Sequence, residues 1–274
     1  MPENNKNKGE IVMKTVKKVL AVTAAAAMVG AVCAGCSDTS GKKIEKTDDL
    51  EGARIGVQLG TTGAIYAKDV KNASVEEYNK GADAVMALNQ GKVDCVIIDE
   101  QPAKVFVKQN SGLTILDEEF ANEDYAAVIK KENTQLLDDV NKALAELKAD
   151  GTLDKIISSY IPAEGEEAGS YHYTQTVTDG DKLVMATNAQ FPPYEYYESN
   201  EIVGIDVEIG KAIADKLGKV LSIEDMEFDS IINSVSSGKA DIGLAGFTVT
   251  EDRKKQINFS ESYTNSKQVI IVKK

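Results

Sequence analysis

Residues 84–99 read AVMALNQGKVDCVIID and residues 230–246 read SIINSVSSGKADIGLAG. In each, apolar residues spaced three and four apart run up to a Gly-Lys pair. An aspartate follows two residues after that lysine, and then an apolar run. The spacing predicts an amphipathic helix, the glycine its terminator and the run a buried strand. Found twice in one chain, the pattern predicts two related halves on a βαβ plan. Outward from these anchors, β-branched runs predict strands at 54–58, 94–98, 183–187 and 241–244. Helical periodicity marks 83–89, 134–150, 206–217 and 230–236. Strands alternating with helices predict an α/β fold with mainly parallel sheets.

The chain has 274 residues, 42% of them hydrophobic, which is enough for a substantial core and for two units of ordinary domain size. Its formal charge of −13 excludes a surface built to neutralise phosphates, so no nucleic-acid partner is expected. Lys14, Lys17 and Lys18 precede an apolar run over 19–32 and then Cys33-Ala34-Gly35-Cys36. This reads as a leader over 1–36, with Met13 as the true start. The run is too short to span a bilayer. Cleavage ahead of Cys36 leaves Cys95 as the remaining side-chain thiol, so no disulfide framework forms, and its apolar neighbours predict a buried, inert group. Residues 163–182 are polar and without periodicity, which predicts a linker, with His172, the single histidine, in solvent inside it.

Arg253, one of two arginines beside Arg54, follows a predicted strand and Gly246-Phe247-Thr248-Val249-Thr250-Glu251-Asp252. There its guanidinium either clamps a carboxylate through paired hydrogen bonds or pairs on the surface with Glu251 or Asp252. Gly60-Thr61-Thr62-Gly63 opens a helix whose free N–H groups either cradle an anion or are only capped by threonine. Asp99 ends an apolar strand, placed to meet an ammonium group or to cap the next helix. Phe191 leaves the strand at 183–187, and with Phe228 it either flanks a ligand or packs in the core. One histidine in a linker, no Cys-His pair and no metal-ligand spacing leave no catalytic constellation, so no enzyme, metal or cofactor is expected.

Three stretches together resemble the polar amino-acid family of substrate-binding proteins of ABC transporters. They are AGFTVTEDRKK at 245–255 with Asn258-Phe259-Ser260, VGIDVE at 203–208 and NAQFPPY at 188–194. The resemblance implies a two-lobed, periplasmic-binding-protein-like α/β fold that closes on a free amino acid. Arg253 and the N–H groups of Thr248 and Thr62 would take the ligand's carboxylate. Asp99, the Gly246 carbonyl and the Thr248 hydroxyl would take its ammonium, and Phe191 and Phe228 would flank its side chain. Asn188 stands where relatives preferring basic ligands place aspartate, which favours a neutral polar ligand. The residues before Cys36 resemble a lipobox, which implies a lipidated Cys36 and an extracytoplasmic, membrane-anchored monomer serving an ABC permease. The order of the parts departs from the family and implies a circular permutation. Lobe 2 would be 47–124, lobe 1 would combine 125–162 with 183–274, and 163–182 would join the usual ends. One covalent crossover, near 125–130, would then connect the lobes. A dehydratase-like enzyme on the same fold and an amino-acid-sensing domain are the alternatives.

Overall fold

The computed structural model describes residues 41–118 and 120–274; the expected leader, with Met13 and Cys36, lies outside the described residues. A short 3-10 turn (Thr47–Leu50) leads into β1 (Arg54–Gln58), α1 (Thr62–Lys68), β2 (Ser74–Tyr78), α2 (Gly81–Asn89) and β3 (Cys95–Asp99). There follow α3 (Glu100–Gln109), β4 (Leu113–Ile115), β5 (Ala121–Lys130), α4 (Thr134–Ala149) and α5 (Thr152–Tyr160). After a stretch without regular structure come β6 (Lys182–Thr187), β7 (Gln190–Phe191), β8 (Glu195–Glu198), β9 (Glu201–Val203), α6 (Ile205–Lys216) and β10 (Val220–Asp225). The chain finishes with α7 (Phe228–Ser237), β11 (Ile242–Gly243), α8 (Glu251–Lys254) and β12 (Ile257–Lys273).

The repeated Gly-Lys signal does what its chemistry requires. Gly91 and Gly238 stop α2 and α7 with φ of +73° and +77°, a left-handed backbone that a Cβ disfavours. The run after Gly91 becomes β3, buried at every position. The run after Gly238 yields only the two-residue β11, beyond which Leu244 N–H still donates to the Ala186 carbonyl at 3.2 Å.

A nine-stranded sheet runs β10-β6-β11-β5-β12-β3-β1-β2, with β4 beside β12. At one side β10, β6 and β11 are parallel, and at the other β3, β1 and β2 are parallel. Between them β5 and β12 run antiparallel. β5 meets β11 at Val128 and Ile129, and β12 pairs with β5 from Ile257 to Gln268 and with β3 from Gln268 to Val272. β5 therefore carries the chain from one parallel set toward the other, and β12 adds hydrogen-bonded pairing with β5 on one side and β3 on the other. Residues 42–46 form no strand; Lys42 N–H donates to Asp94 Oδ1 at 2.9 Å, and Ile44 is buried against the core around Leu50 and Ile55.

One apolar cluster runs through both halves, from Leu88, Val96 and Ile98 to Leu183, Met185 and Ile213, and a smaller one lies in each half. Ile55, Val57, Ala64, Ile97 and Ile270 cluster in one, and Val128, Ala186, Ile231, Val235 and Phe247 in the other. The segment over 163–181 lies against α6, held by side-chain acceptors on that helix. Tyr173 N–H donates to Glu208 Oε2 at 2.8 Å, and Thr176 and Val177 N–H donate to Asp215 at 2.7 and 2.8 Å. His172 is exposed and pairs with Glu208 at 2.9 Å. Among the described residues no helix is long and apolar enough to cross a membrane.

Candidate functional site

Strand ends and helix starts from both halves of the sheet converge on one recess of about 300 Å³, open solvent at its mouth included. Thr62 and Asp99 line it from one half. Asn188, Phe191, Phe228, Gly246, Thr248 and Arg253 line it from the other. All eight residues singled out in the sequence thus meet at one place.

Arg253 reaches the recess from α8. Thr250 caps that short helix by accepting from Arg253 N–H. The guanidinium is buried, lies 5.5 Å and 5.3 Å from the ring centroids of Phe228 and Phe247, and donates to the Thr248 carbonyl at 2.8 Å and the Gly60 carbonyl at 3.0 Å. The surface-pair alternative is overturned, because Glu251 takes Lys254 at 2.9 Å and Asp252 takes Lys255 at 2.6 Å. Burial lowers the Arg253 pKa, opposed by the charges of Glu123 and Asp99. A guanidinium held by carbonyls in a low-dielectric recess favours an anion brought to it.

Asp99 closes β3 and is N-cap of α3 in position, yet its side chain makes no capping bond. It accepts instead from the Tyr125 hydroxyl, on β5. Desolvation and the neighbouring Glu123 charge push the Asp99 carboxyl up to about 8. Behind it Gln268 Nε2 donates to Glu123 Oε2 at 2.9 Å. The Arg253 guanidinium is the positive charge that these carboxyl groups feel.

Opposite, α1 begins at Thr62. The Thr61 hydroxyl accepts from Ala64 N–H at 3.3 Å and donates to the Gln58 carbonyl at 2.7 Å, so the first turn is fixed with its leading N–H groups toward the recess wall. Thr62 and Thr248 hydroxyls stand 3.5 Å apart across the recess. Gly246 has a φ of +56°, and a Cβ there would come within 2.9 Å of the Phe191 ring. Its N–H donates to Asp206 Oδ2 at 2.9 Å, which orients the turn. Asn188 is buried between the Met226 carbonyl, to which it donates at 2.8 Å, and Gln58, from which it accepts at 2.9 Å. Phe191 stacks on Tyr194, and Phe228 on Phe247. Cys95 is buried away from the recess lining and its thiol is pushed up to about 12 by burial.

Two polar lining residues escaped the sequence reading. Gln58 is the last residue of an otherwise apolar strand, and Glu195 sits in a stretch notable for its rings. Only their burial, 4% and 0% exposed, separates them from the many solvated acids and amides of this chain.

Parallel strands at both ends of a sheet, an antiparallel ribbon between them and a charged recess lined from both sides define an α/β solute-binding protein. The chain belongs to the bacterial extracellular solute-binding proteins, family 3, whose pattern matches residues 65–163 and 183–274. Among curated proteins it is similar to the arginine-binding extracellular protein ArtP of Bacillus subtilis, 44% identical over 93 residues, 34% of this chain and 36% of that protein. It is also similar to the L-cystine-binding protein TcyJ of Escherichia coli K12, 31% identical over 123 residues, 44% of this chain and 46% of that protein. The matched region therefore spans less than half the length of these relatives. A solved structure of an ancestral arginine-binding protein bound to arginine is 45% identical over 28% of this chain and 34% of its own, with a TM-score of 0.28.

Proposed function

We propose that this protein captures a free polar amino acid for an ABC importer. One observation carries the reading: a buried arginine and a buried aspartate, contributed by different halves of the sheet, face one recess. A zwitterion loses its hydration on entry, so each of its charges needs a fixed partner of opposite sign. Arg253 and the N–H groups of Thr62 and Thr248 receive the carboxylate. Asp99, the Gly246 carbonyl and the Thr248 hydroxyl receive the ammonium. Phe191 and Phe228 flank the side chain, and Asn188 with Gln58 limits its reach. Relatives carrying the names of arginine-, histidine- and cystine-binding proteins support a polar ligand. Because the family is one of binding proteins, the dehydratase-like alternative is set aside.

The wider reading has two lobes, about 47–124 and 125–162 with 183–274, hinged on β5 and β12 and joined in a permuted order. Support comes from where the described ends lie. Lys42 N–H binds Asp94, the side chain of Arg54 binds both Asp94 and the Gly91 carbonyl, and a Cβ on Gly91 would lie 3.6 Å from Lys273 Nζ. A permuted order also lets a collinear comparison take in only one block of the chain, in keeping with the short matched regions. Lipidation at Cys36, anchoring to the outer face of the membrane and delivery to a permease complete the reading.

Thermal-shift measurements of the purified protein against the common amino acids test it, with Arg253→Ala as control. Ligand at a thousand times its dissociation constant adds about 4 kcal/mol, several degrees for a chain of this size. The expected outcome is a selective shift that Arg253→Ala loses. No shift with any amino acid would refute capture.

A further inference from the structure

Behind the recess wall two carboxyl groups meet with no cation between them. Glu195, on β8, is 0% exposed and lines the recess; Asp206, on α6, is 0% exposed and lies behind it. Asp206 Oδ2 accepts from Gly246 N–H and from the Tyr263 hydroxyl, each at 2.9 Å, so its position is fixed from two elements. Among the described residues Asp206 Oδ1 and both Glu195 oxygens have no donor, although the two side chains are in hydrogen-bonding contact. Two carboxylates cannot bond each other, but a carboxylic acid and a carboxylate can.

We propose that the Glu195–Asp206 pair holds one proton while the recess is empty and exchanges it for the cationic side chain of a basic amino acid, so that capture of such a ligand releases a proton to water. This rests on the reading of the recess as an amino-acid site, and it names a basic ligand class in place of the neutral one that Asn188 favours, Glu195 supplying the carboxylate that Asn188 does not. In the empty state Glu195 O–H donates to Asp206 Oδ1. When a guanidinium or ammonium group enters, the Glu195 O–H bond breaks, the proton passes to solvent, and the freed carboxylate pairs with the cation. One positive charge leaves and one arrives, so the net charge of a site that water scarcely reaches is unchanged. A neutral side chain offers no such replacement and leaves the proton in place.

The groups facing Glu195 support this charge accounting. Burial and then the charge of Asp206 raise the Glu195 carboxyl well above its usual range, with Asp99 on β3 and Asp225 at the end of β10 adding to it. Burial raises Asp206 to about 6, held down by the Gly246 and Tyr263 bonds. Tyr194 and Tyr263 face the pair as neutral phenols, and Arg253 lies across the recess. The sign follows. A cation lowers the Glu195 pKa in the bound state, so affinity for a basic ligand rises with pH and levels off above the pKa of the free state.

Isothermal titration of the full chain with L-arginine and with L-glutamine, in buffers of different ionisation enthalpy, counts the protons released. Both ligands bring an α-ammonium to Asp99, so the difference between them isolates the side chain. The expected result is about one proton more for arginine and an arginine affinity that rises up to about tenfold per pH unit below the plateau. Glu195→Gln removes both effects. A second measurement needs no ligand: infrared difference spectra of the empty protein show a protonated-carboxyl band that Glu195→Gln and added arginine each abolish. Equal proton counts for the two ligands, an unchanged profile in Glu195→Gln, or absence of the band overturns the proposal. Binding of glutamine without arginine overturns the exchange and leaves amino-acid capture standing; binding of neither overturns the exchange, and capture falls with it only if no common amino acid gives a thermal shift.

Discussion

Asp99 shows how a residue proposed to bind ligand can oppose folding. Its carboxyl is held at about 8 by burial and by Glu123, far above the roughly 3.9 of an unfolded chain. An acid whose folded pKa is raised costs stability as pH climbs from the unfolded value toward the folded one, since the unfolded chain ionises first. Asp99→Asn is therefore expected to raise the stability of the ligand-free protein at pH 8 more than at pH 5, while abolishing amino-acid binding. Urea unfolding at the two pH values, beside a binding titration, checks this; a variant destabilised at both would refute it. The carboxyl was legible in the sequence as the end of an apolar strand. Its acceptance from Tyr125 was not, because the two residues are brought together only by the pairing of β12 with both β3 and β5.

The turn between β11 and α8 carries much of the recess lining: Gly246, Thr248 and, three residues beyond the strand-like bridge of Thr248 to Tyr125, the start of the helix that presents Arg253. Gly246 holds a left-handed backbone beside the Phe191 ring, so an alanine there pays twice, in dihedral strain and in contact with Phe191. Gly246→Ala is expected to lose roughly 1–2 kcal/mol of stability from the backbone alone. It is also expected to weaken binding, because the Gly246 N–H bond to Asp206 and the carbonyl proposed to take the ligand's ammonium turn with it. Denaturant midpoints and ligand titration on the same variant report the two effects. At this scale the amphipathic helices were well placed by their periodicity. The edge strand β2, exposed and rich in glutamate, and the long β5 and β12 were not, since mixed sequences take strand geometry there from their neighbours.

Across the whole molecule, the paired strands β5 and β12 decide how its halves are connected. The permuted reading makes its own prediction. A chain in which residue 274 is joined to residue 41 by a short flexible linker and opened within 163–182 should fold and keep the same amino-acid selectivity. Circular dichroism and the thermal-shift screen test it. A rejoined chain that fails to fold sinks the permuted order, and the native chain's own binding stands apart from that result.

The sequence by itself determined the α/β class, the two glycine-terminated helix-strand units and the eight side chains that share the recess. These follow from local periodicity, from backbone freedom at glycine and from motif stretches that keep their residues at fixed spacing. Only the tertiary structure decided that Arg253 is buried against two stacked rings, that β12 pairs with both β3 and β5, and that Glu195 lies against Asp206. Those facts depend on which distant segments exclude water from one another, and a chain rich in carboxylates does not mark which of them folding will bury.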